Sequence, residues 1–448
     1  MHNLKWRAHS RSPGLPVRHG RLARRGPWRS LGMILVLTIG VLTVSGGAIA
    51  GVAAWDVVGS VKPGVHLAHV AGTPGDRTDP VADVAAITGG VNLLLTGTAP
   101  RTGQGGAYAT SAELAASSGA GSNDVTMLLH IAQDHKSVSV ISFPRDLMVA
   151  VPACPGAGGT TVSASRREML NTTLARGGLS CVVVTIEKLT GLQIPFAAQI
   201  SFDGVTAMSN AIGGVTVCIA SPITDLYTNP PLHLAAGQQT IVGEEALSFL
   251  RSRHGVGDGS DLGRISNQQV FMAALTRKVE SGGVLGNPVM LYSLAKAATG
   301  NMVLSDTLTN PTTLVQIALA LKDTGLANMV FLQYPTEADP QDVNRVVPQS
   351  AGAAIVNAAL VADQPVVLSG LPGRAAVIDP TATAAPTQAP AASPSPTATS
   401  GPTAKSSPTA TPSGGPSTPA PSPTPTGAVL PATVTGQTAA EQTCSKGN

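Results

Sequence analysis

Four arginines carry the chemistry most open to reading in this chain. Arg251, Arg253 and Arg264 stand around Asp261 in LRSRHGVGDGSDLGRISNQQ, and Arg145 lies in an earlier SFPRD. A guanidinium stays charged at any working pH and donates paired hydrogen bonds to phosphate oxygens, so the cluster fits a doubly charged pyrophosphate. Arg145 follows the run VSVISF and a strand-ending proline, which places it at a strand's carboxyl end, where open α/β sheets bind ligands. The competing role is a structural ion pair with Asp146 or another carboxylate. Arg251 and Arg253 close the helical pattern SFLRSR, and in extended backbone their spacing of two points both to one side. The plainer role there is to complement the helix dipole. The glycines of HGVGDGSDLG allow a ligand to approach the backbone closely, and Asp261 is placed to cap the following helix, whose start attracts anions. Within that helix Arg264 and Gln268, four apart, share a face. Asp124, just before VTMLLHI, is the candidate divalent-metal ligand or base, against the commoner role of a carboxylate at a strand end.

The elements that must hold these groups alternate in type. VNLLLTG (91–97), VTMLLHI (125–131), VSVISF (138–143) and MVFLQY (329–334) are of strand length, rich in branched residues and bounded by turn formers, as buried strands require. Segments 164–176, 181–191, 204–212, 243–250, 264–280, 288–299 and 311–325 carry helical patterns. The expected fold is therefore α/β, a three-layer α/β/α sandwich around a mostly buried mixed sheet. Residues 99–122, rich in Gly, Ala and Ser, read as a mobile loop bordering the site.

The first thirty residues hold eight Lys or Arg and no carboxylate, and the charge-free stretch 31–55 is long enough for a helix that needs roughly 20 apolar residues to cross a bilayer. The basic flank should stay cytoplasmic, placing everything after Trp55 outside a single-pass anchor in the cell membrane. A cleaved signal peptide is the rival, with a shorter apolar region. Without the head, 20 basic residues face 25 acidic ones, so the pI near 8.7 gives no ground for a nucleic-acid partner. The predicted organisation is a basic cytoplasmic head at 1–30, a transmembrane helix at 31–55, an extracellular domain at 56–375 with its core at 91–367, and a disordered Pro/Thr/Ser/Ala-rich tail at 376–448. Four cysteines lie outside the membrane on this topology and match no metal spacing. Cys154 and Cys181, bracketing a Gly-rich excursion, are the first choice for a disulfide, although four cysteines allow three pairings.

The blocks VNLLLTGTAPR, SNDVTMLLHI, VSVISFPRDLMVAVP, ISFDGVTAMSNAIGGVTVCI and LRSRHGVGDGSDLGRISNQQ, in this order, resemble the LytR-CpsA-Psr family of membrane-anchored cell-wall glycopolymer ligases, of actinobacterial type, from about Val91 to about Val367. The resemblance implies a hydrophobic pocket for a polyprenyl chain, with Arg145, Arg251, Arg253, Arg264 and Gln268 gripping its pyrophosphate. It puts Asp124 and Asp261 at the acidic positions, Asp124 at a magnesium (or manganese) ion, and makes Asp124, Arg145 and Asp261 the catalytic set. The implied reaction moves a phosphoglycosyl polymer, of the teichoic acid or arabinogalactan kind, from its polyprenyl pyrophosphate carrier to a peptidoglycan hydroxyl. Two positions depart from the family pattern: Ala99 stands where many members have a carboxylate, and Ser122 where many have an arginine. Those departures open a second reading, a catalytically weakened relative that binds lipid-linked polymer or wall as a scaffold. A third, the transcriptional attenuator of the family name, is opposed by a cytoplasmic part of about thirty residues with no helix-turn-helix pattern. A pyrophosphatase, with water replacing the acceptor, is a side possibility.

Overall fold

The computed structural model describes residues 59–70, 90–98, 121–379 except 283, 285, 286 and 323, and 427–448, with scattered helical positions between 28 and 56. The chain divides into Met1–Asp56 and Val57–Asn448. Most of the predicted span 31–55 lies outside the described residues, and among the described ones no helix is long and apolar enough to cross a membrane. The predicted loop 99–122 also lies outside them, apart from Gly121 and Ser122.

The elements used below, all in the second unit, run in chain order as β1 (Val91–Thr98), β2 (Asn123–Ile131), β3 (Val138–Phe143), α1 (Thr173–Thr190), β4 (Phe196–Ile200), α2 (Phe202–Ala211), β5 (Val215–Ser221), β6 (Gly237–Ile241), α3 (Gly243–Arg251), α4 (Asp261–Glu280), α5 (Pro288–Asn301), β7 (Met302–Leu304), α6 (Pro311–Lys322), β8 (Met329–Gln333), α7 (Ser350–Val361), β9 (Ala376–Ile378), β10 (Gly436–Thr438) and β11 (Thr443–Lys446). The main sheet has the order β7-β4-β1-β2-β3-β8-β10. It is mixed: β1 runs antiparallel to β2 and parallel to β4, while β3 runs antiparallel to β2 and parallel to β8. Every residue of β3 is buried, as a strand covered on both faces demands. One face packs Leu94, Leu128 and Ile141 against Val183 and Ile186 of α1 and Val356 of α7. The other packs Met127, Val140 and Phe331 against Ala273 of α4 and Ile317 of α6. The period-2 alternation of these strands therefore feeds two apolar cores.

A second sheet, β6-β5-β11-β9, lies beside α4, whose Phe271 and Ala274 join its core with Val217 and Ile219. Here the predicted tail boundary is corrected. Residues 427–448 are ordered, adding edge strand β10 to the main sheet and β11 to the second, where a disulfide joins Cys444 to its register partner Cys218. The Pro-rich tract before them masks, in any composition average, a short segment with apolar residues enough to pair. Residues 380–426 lie outside the described residues.

The predicted helix 164–176 is also corrected. Ser165–Met169 is a strand paired with Met148–Val151, and the α-helix begins only at Thr173, after a 3-10 turn at Leu170–Thr172. Strand pairing and the ion pairs of Arg167 with Asp339 and Arg176 with Glu168 outweigh the helix propensity of Arg-Arg-Glu-Met. A disulfide joins Cys154 to Cys181 of α1. At Gly177 a Cβ would fall 2.4 Å from the Pro155 carbonyl oxygen and 3.0 Å from both cysteine Cβ atoms, so only glycine lets the helix approach this bridge.

Candidate active site

The site forms where β1 and β3 end and β2 begins. Asp124 is the second residue of β2, and Asn123 before it is fully buried, its Oδ1 accepting from the Leu174 N–H and its Nδ2 donating to Thr126. That lock fixes the direction in which Asp124 leaves the sheet. Arg145 follows the proline that ends β3, and its Nη1 donates to Asp124 Oδ1 at 3.0 Å, with Asp146 and Asp261 oxygens each 3.6 Å from Nε. Burial works against the Arg145 charge, but Asp124, Asp261 and Asp146 outweigh it and hold the guanidinium above its ordinary value.

Asp261 does not cap α4. Ser260 does, accepting from the Gly263 N–H, while Asp261 is the first helical residue and pairs with Arg264 at 2.7 Å. Arg264, only 5% exposed, also donates to the Asp124 carbonyl. Arg264 and Gln268 share a buried face, and the Gln268 amide nitrogen donates to the Leu250 carbonyl, seating α4 on the end of α3. There Arg251 lies over the Phe202 ring at 4.1 Å, a cation-π contact.

Arg253 carries the surplus charge. Burial, and then the positive neighbours Arg145 and Arg264, push its guanidinium below the ordinary value against the pull of Asp261 and Asp146. The Nε atoms of Arg145, Arg253 and Arg264 are all buried without a hydrogen-bond partner. Buried donors are rarely left so. Asp124, Arg145, Arg251, Arg253, Arg264 and Gln268 line one cavity of about 470 Å³, whose remaining wall is mainly apolar, including Val205, Met208, Ile212, Phe271, Leu275 and Leu294. The cavity thus sets a cationic patch beside an apolar wall, the usual make-up of a ligand pocket.

Two features escaped sequence reading. Asp225 is buried and accepts from Ser252 Oγ at 2.7 Å, from the N–H groups of Arg253 and Gly255 at 3.1 Å, and from the Tyr227 N–H at 3.0 Å. It therefore organises the turn that presents Arg251 and Arg253. The glycines of that turn serve the chain itself rather than a ligand: a Cβ on Gly255 would meet Asp225 at 2.8 Å, and Gly257, at φ +59°, abuts Ala375. Phe202, the platform under Arg251, is equally invisible to motif reading because it is brought in by α2.

Burial alone would raise the Asp225 carboxyl, but the Ser252 hydroxyl and the Tyr227, Gly255 and Arg253 amides outweigh it and hold the acid below the usual carboxylate range. Its contribution to stability is therefore present above the unfolded-state value near 3.9 and is lost as pH falls through the lower folded value. Asp225→Asn should cost about 2 kcal/mol at pH 7 and less at pH 3. Urea unfolding at the two pH values checks this, and an equal loss at both would contradict it.

For a divalent cation, Asp124 and Asp261 are hard oxygen donors held against the same guanidinium; Asp261 Oδ1 is paired with Arg264 and Arg145, which leaves Oδ2 as the oxygen without an ion-pair partner. A magnesium ion commonly takes one or two carboxylates and completes its shell with substrate phosphates and water, so this pair fits it. Among the described residues the one grouping of three candidate ligand side chains is Cys218, Asp379 and Cys444, and its sulfurs are already bonded to each other. Ala99 lies outside the described residues, and Ser122 precedes β2 with no cation in its place.

A sequence model of the LytR_cpsA_psr family matches residues 68–358. The chain is 31% identical over 245 residues to cell wall biosynthesis protein LcpA of Corynebacterium glutamicum, covering 50% of this chain and 47% of that one. It is 26% identical over 200 residues to the polyisoprenyl-teichoic acid–peptidoglycan teichoic acid transferase TagV of Bacillus subtilis, covering 44% and 48%. The chain thus spans about half the length of these curated relatives. The crystal structure of protein gbs0355 from Streptococcus agalactiae is similar with a TM-score of 0.50 at 21% identity, over 62% of this chain and 88% of that one, a likeness of fold.

Proposed function

This chain belongs to the LytR_cpsA_psr family, and on that premise we propose that it is a phosphotransferase moving a glycopolymer from a polyprenyl pyrophosphate carrier to a peptidoglycan hydroxyl. The observation that carries this reading is the gathering of Arg145, Arg251, Arg253 and Arg264 on one cavity whose remaining wall is mainly apolar. An isoprenoid chain fills the apolar length, and the pyrophosphate meets Arg145, Arg251, Arg253 and Arg264.

In the reaction the acceptor oxygen attacks the sugar-bearing phosphorus. The bond from that phosphorus to the bridging oxygen breaks, polyprenyl phosphate leaves with the electron pair, and the polymer becomes phosphodiester-linked. Negative charge spreads over the phosphoryl oxygens and the leaving phosphate, so pre-placed guanidinium groups lower the barrier without rearranging. Arg253, crowded by like charges, gains most when the anion arrives. Asp124, partly exposed at the start of β2, receives the acceptor's proton, and Asp261 holds Arg264 and Arg145 in place. Asp124 and Asp261 would hold Mg²⁺ or Mn²⁺, which supplies further neutralisation of the pyrophosphate. We place residues 31–55 in the membrane as a single-pass anchor, with the head inside and the domain outside, so that the site works on lipid carried in the outer leaflet.

The test uses the full chain with Mg²⁺, a polyprenyl-pyrophosphoryl oligosaccharide and peptidoglycan oligomers, with mass spectrometry of the products. Linked polymer together with polyprenyl phosphate is expected, both lost in Arg145→Ala. Release without linkage would replace the ligase by a pyrophosphatase. Tight binding with neither product would favour the scaffold that Ala99 and Ser122 suggest.

A further inference from the structure

Resting on the reading above, we propose that Tyr227, backed by His254, is a carbohydrate subsite that receives the sugar attached to the pyrophosphate. Tyr227 is 82% exposed and yet walls the cavity, so its ring contributes little to the core. It is nevertheless held. Its ring lies 4.5 Å from that of His254, tilted by 49°, and its N–H donates to Asp225 Oδ1. The other oxygen of the same carboxylate accepts from the Arg253 N–H, so Tyr227 and Arg253 hang from one anchor. His254 also follows Arg253 directly, which ties the aromatic pair to the pyrophosphate end of the cavity rather than to its hydrocarbon end.

A substrate in this cavity has three chemically distinct parts. The apolar wall takes the lipid, the guanidinium groups take the phosphates, and the next group along must be a sugar. A pyranose presents a face of C–H groups with hydroxyls around its edge. An exposed tyrosine matches it, offering an apolar face, a phenol that donates and accepts at the rim, and few torsions to freeze. Neighbouring Leu226 is also exposed, and a membrane surface would suit the pair as a bare apolar patch. The shared Asp225 anchor favours the sugar, since a patch that merely touches lipid needs no registration with Arg253.

The experiment measures binding of the full chain in detergent to two probes, geranylgeranyl pyrophosphate and geranylgeranyl-pyrophosphoryl-N-acetylglucosamine. Wild type should bind the sugar-bearing probe about five- to tenfold more tightly. Tyr227→Ala should remove that preference and leave the plain pyrophosphate unchanged, whereas Tyr227→Phe should keep most of it. Equal weakening of both probes by Tyr227→Ala would make Tyr227 a brace for the arginine turn and overturn the subsite. Equal affinity of wild type for the two probes would overturn it while leaving the pyrophosphate reading intact. Failure of wild type to bind either probe would sink both. An unchanged preference in Tyr227→Ala would overturn the subsite and leave the ring to the membrane surface instead.

Discussion

Arg253→Met should lower kcat/KM for polymer transfer about a hundredfold while leaving the protein as stable as wild type, or more so. Removing one pre-placed donor from a developing oxyanion typically costs 10²- to 10³-fold, and in the proposed mechanism Arg253, which lines the cavity beside Arg145 and Arg264, is such a donor. Stability should move the other way, because without ligand its charge is desolvated and repelled by Arg145 and Arg264. Methionine keeps much of the apolar stem and removes the charge. Arg145→Met supplies the contrast. Arg145 is three-quarters buried among Asp124, Asp146 and Asp261, so its loss leaves carboxylates facing one another. Breaking a fully buried pair costs about 3–5 kcal/mol, and partial exposure reduces that here to about 2 kcal/mol. Thermal melting beside steady-state kinetics separates the two cases. Equal destabilisation by both variants, or near-normal kcat/KM in Arg253→Met, would show that Arg253 is structural.

That the arginines gather on one cavity was legible because their spacing is local. A strand, a proline and then Arg145 already say where that side chain emerges, and β3 runs from Val138 to Phe143 as the apolar run does. Arg251 and Arg253 were legible as a pair but not as an arrangement. Their orientation depends on Asp225, 28 residues before Arg253, and on Phe202 from another helix. Nothing in periodicity distinguishes a carboxylate that gathers backbone amides from one facing water. Asp261 was misjudged for a similar reason: Ser260 is an equally good cap, and Arg264 one turn on outbid the helix terminus for the carboxylate. The tail was the largest miss. Its Pro-rich composition describes 380–426, whereas β11 is specified by β9 before that tract and by β5 more than 200 residues away.

That returning strand yields the second large effect. The Cys218–Cys444 bond closes a separation of 226 residues, against 27 for Cys154–Cys181. In the chain-entropy account the longer closure contributes about 5 kcal/mol and the shorter about 3.5 kcal/mol. Cys444→Ser should therefore lower the melting midpoint by about 8 °C, and by more than Cys154→Ser does. The functional consequence is specific to the C-terminus. The Lys446 carbonyl accepts from the Gly257 N–H, the Asn448 N–H donates to the Gly255 carbonyl, and Asn448 Nδ2 donates to the His254 carbonyl. These bonds brace the loop between Arg253 and Asp261 in addition to those made by Asp225. At a temperature where both variants are fully folded, Cys444→Ser should weaken binding of geranylgeranyl pyrophosphate several-fold, while Cys154→Ser, whose bridge lies against α1 away from that loop, should leave it unchanged. Circular dichroism establishes the folded fraction and titration gives the affinity. Equal affinities in the two variants would mean that the loop keeps its shape without β11, so that Asp225 alone sets the arginine turn.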